Sequence, residues 1–86
     1  MKENKIDEWI SIGSNRRDAV ICQILSEDRL EVVYLDNNGK AINEYVVLKD
    51  NIWCFENSNP CGGYADNSER LSLYVSTLRE GKRYLR

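Results

Sequence analysis

Apolar positions recur with a period of two through the first two thirds of the chain and with a helical period near the end. The period-2 runs are Ile6–Ile12, Ala19–Leu25, Arg29–Leu35 and Ala41–Leu48, followed by a short apolar run at Ile52–Phe55. Each predicts a β-strand, because alternate residues of a strand face opposite sides of the sheet. In the first run the two faces are not cleanly separated, so its register is open. Arg29 to Leu48 reads as a β-hairpin through Asp36-Asn37-Asn38-Gly39, with Asn38-Gly39 suited to the positive φ angles of a two-residue type I′ turn. Lys49-Asp50-Asn51 interrupts the pattern and suits a single 3₁₀ turn. After Ser68 the apolar spacing changes. Leu71, Tyr74, Val75 and Leu78 then fall on one helical stripe, which predicts a helix over Ser68–Glu80. Asn67 or Ser68 is placed to cap its start and Gly81 to end it.

These elements divide the 86 residues into a frayed segment 1–5, a barrel 6–55, a loop 56–67, a helix 68–80 and a basic tail 81–86, all in one domain. Five short strands with tight turns and one late helix predict a mainly β fold: a five-stranded antiparallel barrel with a C-terminal α-helix over one end or face. Closure removes the exposed edges that invite aggregation. The expected core is Val20, Cys22, Ile24, Val32, Val46 and Leu48, with Leu71, Val75 and Leu78 docking the helix. Val33 takes the place of Val32 if the register slips by one.

The second and third strands, Asp18-Ala19-Val20-Ile21-Cys22-Gln23-Ile24 and Glu31-Val32-Val33-Tyr34-Leu35-Asp36, followed by Asn38-Gly39 and Glu44-Tyr45-Val46-Val47-Leu48, resemble the Tudor and SH3-like small-barrel family. The resemblance covers about residues 6–55. It implies an SH3-like barrel and a binding module. Many Tudor domains hold methylated lysine or arginine in an aromatic cage, and two cage positions correspond to Trp9 and Tyr34. The other two are Arg17 and Asn37, and a cation at Arg17 opposes a cationic ligand. The plainer reading is that Trp9 and Tyr34 pack core or barrel rim.

Composition adds limits. With 12 basic and 14 acidic residues the formal charge is −2, and the pI is near 5.1, which argues against a surface given over to nucleic acid. The charge is uneven: residues 79–86 carry +3 and the remainder −5. A basic tail can contact phosphate or an acidic partner, or it can simply complement a helix C-terminus. No apolar run is long enough to span a membrane, and MKENKIDEWI lacks the apolar core of a signal peptide. Three cysteines make a poor disulfide framework, so free thiols and a cytoplasmic location are expected, with Cys61 the most exposed.

There is no histidine, which removes the commonest general base and metal ligand. No close cysteine knuckle marks a metal site, and Gly62-Gly63 lacks the strand and Lys-Ser/Thr of a phosphate loop. Neither catalysis nor a cofactor or metal is expected. The expected activity is binding, most readily of another protein. A nucleic-acid accessory role using rim aromatics and the basic tail is the alternative. The candidate surface is the barrel rim of Trp9, Arg17, Tyr34, Asn37 and Asn38, with Tyr64 on the long loop as a second wall. The oligomeric state is left open.

Overall fold

Side chains of the third strand are buried on both sides, and the rest of the fold follows from that. In a computed structural model, which describes residues 4–13, 17–57 and 62–81, the order is β1 (Trp9–Ile12), β2 (Arg17–Ser26), β3 (Arg29–Leu35), β4 (Ala41–Lys49), β5 (Ile52–Phe55), β6 (Gly63–Tyr64), a 3₁₀ turn (Ala65–Asn67) and α1 (Ser72–Glu80). Successive strands from β1 to β5 pair antiparallel. The ring closes where Ile12 of β1 meets Trp53 of β5, and there the strands run parallel. The wholly antiparallel barrel expected from the sequence is corrected on this point. An odd number of alternating strands brings the first and last into contact in the same direction. The result is a mainly β, small closed barrel of the SH3-like kind at the level of architecture, followed by one helix.

Two apolar clusters lie on either side of the barrel wall. Ile12, Ala19, Ile21, Leu30, Val32, Tyr34, Ile42 and Val46 fill the interior. Val20, Cys22, Val33 and Ala41 face outward and are covered by Ala65, Leu71, Val75 and Leu78. Val32 and Val33 are therefore both fully buried, one in each cluster, and are not alternatives. Two expected core residues fall outside. Ile24 is 39% exposed, because β2 outruns β1 and is bulged on both sides of that residue. Leu48 is only half-buried, close to the end of β4.

Several boundaries move for local reasons. The first strand starts at Trp9 and not at Ile6, because Asp7 adopts a φ of 74° and the Glu8 N–H donates to the Lys5 carbonyl in a turn. The helix starts at Ser72 and not at Ser68. Residues 68–71 form a turn, Leu71 stands at the cap position, and among the described residues no side chain caps the helix. Its end is as expected: Gly81, at φ 95°, donates its N–H to the Thr77 carbonyl. The 56–67 stretch holds β6 and the 3₁₀ turn, where only a loop was expected. The two-residue turn with positive φ at both positions is present, but at Asp50-Asn51, with φ of 52° and 66°, between paired Lys49 and Ile52.

Among the described residues no helix is long and apolar enough to cross a membrane. Cys22 and Cys54 are free thiols, buried and half-buried respectively, while Cys61 lies outside the described residues.

Candidate functional site at the hairpin tip

The β3–β4 connection is held by its own first residue. The Asp36 N–H donates to the Lys40 carbonyl, and the Gly39 N–H donates back to the Asp36 carbonyl. The Asp36 Oδ1 accepts the N–H groups of Asn38 and Lys40, each at 2.9 Å. Gly39 alone in this turn has positive φ, at 80°. The expected type I′ turn at Asn38-Gly39 is therefore replaced by a longer loop in which an aspartate organises the first residues and glycine supplies the return. Asn37 and Asn38 are exposed as a consequence.

Arg17, the first residue of β2, reaches across to this loop. Its Nη1 donates to the Leu35 carbonyl at 2.9 Å and its Nη2 to Asn37 Oδ1 at 3.4 Å. The guanidinium carbon lies 5.3 Å from the Tyr34 ring centroid, over the face. Tyr34 is 3% exposed and packs at a tilt against Phe55 inside the barrel. Arg17, Tyr34, Asp36, Asn37, Ile42 and Gly62 line a depression of about 300 Å³.

The far side is closed by Gly62, just before β6. Tyr34 pairs with Ile42, and Ile42 pairs with Tyr64, so the three form a row across β3, β4 and β6 on one face. Tyr64 is 56% exposed, with the Lys40 ammonium 5.1 Å from its ring centroid. The segment is seated by Gly62, whose N–H donates to Glu44 Oε2 at 2.9 Å. Glu44 is 4% exposed. A Cβ at Gly62 would overlap the Asn43 carbonyl, so only glycine allows this approach.

The structure thus brings together Arg17, Tyr34 and Asn37, with Tyr64 beside them and Asn38 at the tip outside the depression. It separates Trp9 from Tyr34, Asn37 and Tyr64, with Arg17 lying between the two sides. Trp9 packs in the outer cluster and lines a different depression of about 290 Å³ with Arg17, Asp18, Leu35, Leu78 and Gly81. Its indole Nε1 is buried and has no acceptor among the described residues. Asp36, Ile42 and Gly62 were not picked out from the sequence. The Asp-x-Asn-Gly spacing carries a signal for Asp36, since an aspartate two residues before a loop N–H is a turn former. Nothing local marks Ile42 or Gly62. Arg16 and the tail residues 82–86 lie outside the described residues.

Chemically, the depression offers a guanidinium, a carboxylate, an amide and one aromatic wall. Among the described residues no three cysteine, aspartate or glutamate side chains cluster as a metal site. Burial pushes the Cys22 thiol up to about 12, with the neighbouring Glu31 charge adding to the shift, so it is protonated at neutral pH. Comparison with protein-family models, curated proteins and solved structures finds no match.

Proposed function

We propose that the protein is a non-catalytic binding module, a Tudor-like barrel that takes a segment of another protein in the depression beside the Asp36–Lys40 loop. The observation that carries this reading is the position of Arg17 over Tyr34, within reach of Asn37. The ring face that could receive a cationic ligand already carries the protein's own cation. What is offered outward is therefore the N–H groups of Arg17 not used on Leu35 and Asn37, the amide of Asn37 and the exposed ring of Tyr64. This combination suits a carboxylate or a neutral polar side chain, with the rings supplying contact area and the polar groups direction. A cytoplasmic setting is in keeping with the free thiols of Cys22 and Cys54.

The test is an amide-shift titration of isotope-labelled protein with acidic, neutral and methyl-lysine peptides. Saturable shifts at Arg17, Tyr34, Asn37 and Tyr64 with acidic or neutral peptides support the reading. Shifts confined to residues 72–81, or seen only with methyl-lysine, overturn it.

A second reading, contact with nucleic acid, is favoured by one observation. Lys40 stands against the exposed ring of Tyr64 with Arg17 on the same rim, a ring and cations of the kind used to stack bases. Affinity for a short oligonucleotide that falls steeply with salt is its signature.

A further inference from the structure

β2 is ten residues long and β1 only four. β1 pairs with Arg17–Val20, and the Asp7 and Glu8 backbone carries the pairing on to Ile21. Beyond Ile21, among the described residues, no strand lies on the side of β2 that faces away from β3. Gln23 to Ser26 are all exposed, including Ile24 at 39% and Leu25 at 37%. From Ala19 to Ser26 the sequence has no charged residue and no proline to blunt the edge, and only bulges serve that purpose. Two register shifts, between Ile21 and Gln23 and between Ile24 and Ser26, twist this stretch. Such bulges turn an edge aside and limit any added pairing to a short run.

The charges at the two ends decide what fits. Asp7 and Glu8 stand beside Ile21 at one end, and Glu27 and Asp28 form the turn at the other. Glu8 is engaged by the Lys5 N–H and Arg29 by Glu56 at 2.6 Å, so among the described residues Asp7 at one end and Glu27 and Asp28 at the other supply the negative charge. In a second copy paired antiparallel about Ile24, Glu27 and Asp28 would come alongside Asp7 and Glu8 of the other chain. Like charges placed opposite each other oppose pairing. A short extended segment with cations at its ends meets carboxylates at both.

We infer that the edge of β2 from Cys22 to Ser26 is a strand-addition site for a short extended segment of another protein, apolar at alternate positions and flanked by lysine or arginine. Main-chain hydrogen bonds hold such a segment, Ile24 and Leu25 supply apolar contact, and the flanking carboxylates select its charge. The site is separate from the depression at Arg17 and does not depend on it.

The experiment is a titration of the isotope-labelled full chain with the capped peptide Lys-Thr-Val-Thr-Val-Thr-Lys. The expected result is saturable shifts centred on the amides of residues 22–26. Exchanging both peptide lysines for glutamate should weaken binding about tenfold or more, as expected when charge complementarity becomes repulsion. Leu25→Lys should weaken binding of the lysine peptide without moving the unfolding midpoint. Glu27→Lys should narrow the difference between the two peptides. Absence of saturable shifts, shifts centred on Arg17 and Asn37, or equal binding of the two peptides overturns the inference. Concentration-dependent shifts at residues 22–26 without peptide also overturn it, by assigning the edge to a second copy.

Discussion

Trp9 and Tyr34 face opposite sides of one wall of the barrel, Trp9 beneath the helix and Tyr34 in the interior. Trp9 stands opposite Val20 and Tyr34 opposite Ala19, and neighbouring residues of β2 point to opposite faces. The two rings therefore cannot wall one pocket, whatever the loops do. Recognition at this rim falls to Arg17 and the hairpin instead.

Arg17 has two roles, one in stability and one in recognition. Arg17→Ala removes the donor to the Leu35 carbonyl and should lower stability by about 1 kcal/mol in denaturant unfolding. Arg17→Lys keeps the charge but loses the planar fork, so it should also lose affinity for acidic peptides in the same titration. Equal peptide affinity in wild type and both variants would place binding elsewhere.

Leu78 is 5% exposed and packs in the outer cluster. Leu78→Ala should cost roughly 2–5 kcal/mol of stability. A loss under about 0.5 kcal/mol, the size expected of a surface change, would mean that the helix is not docked through this side chain.

Glu31 is 3% exposed and its Oε2 lies 2.5 Å from Arg70 Nη2, while the Arg70 side chain is 57% exposed. Removing the arginine strands a buried carboxylate, though water can reach the vacated side. Arg70→Ala should therefore cost about 1–2 kcal/mol, and Glu31→Gln combined with Arg70→Ala should cost less than that single change. A double-mutant cycle measured by urea unfolding checks the order.

Cys22 supplies a pH dependence. Its thiol ionises near 9.0 when unfolded and near 12 in the folded protein, because burial disfavours the thiolate. The unfolded chain therefore holds fewer protons between those values. The stability this thiol contributes is whole below pH 9 and is lost as pH rises toward 12. Cys22→Ala should flatten the fall measured between pH 9 and 11, within that window. At neutral pH the Cys22 thiol should resist a thiol reagent until the protein unfolds.

Gly62→Ala forces its new methyl group against the Asn43 carbonyl and strains the hydrogen bond to Glu44. The β6 segment should shift away from β4. Loss of the ring-current shift that Tyr64 imposes on the Lys40 side-chain protons, with the amides of β1 to β3 unchanged, is the expected spectrum.

The bounds of β3 and β5 are legible in the residues alone, because Arg29–Leu35 and Ile52–Phe55 are dense in β-branched and aromatic side chains between strong turn signals. The helix is legible from the spacing of Leu71, Val75 and Leu78, and its end from Gly81. What decided the rest was contact between parts distant in the chain. Val32 and Val33 alternate in the sequence as if only one could be buried. Covering by the helix on one side and barrel closure on the other buries both. Parallel closure of β1 on β5 follows from the number of strands in the ring, which no local pattern states. The type I′ geometry went to Asp50-Asn51, where the strands meet after two residues, and not to Asn38-Gly39, where Asp36 captures the loop. The same holds for the candidate site. Tyr34, Asn37 and Tyr64 were visible as aromatic and amide side chains beside turns. That Arg17 covers Tyr34, and that Trp9 lies behind the wall, depends on strand register. Register is set by how all the apolar faces are buried together and not by any one stretch of residues.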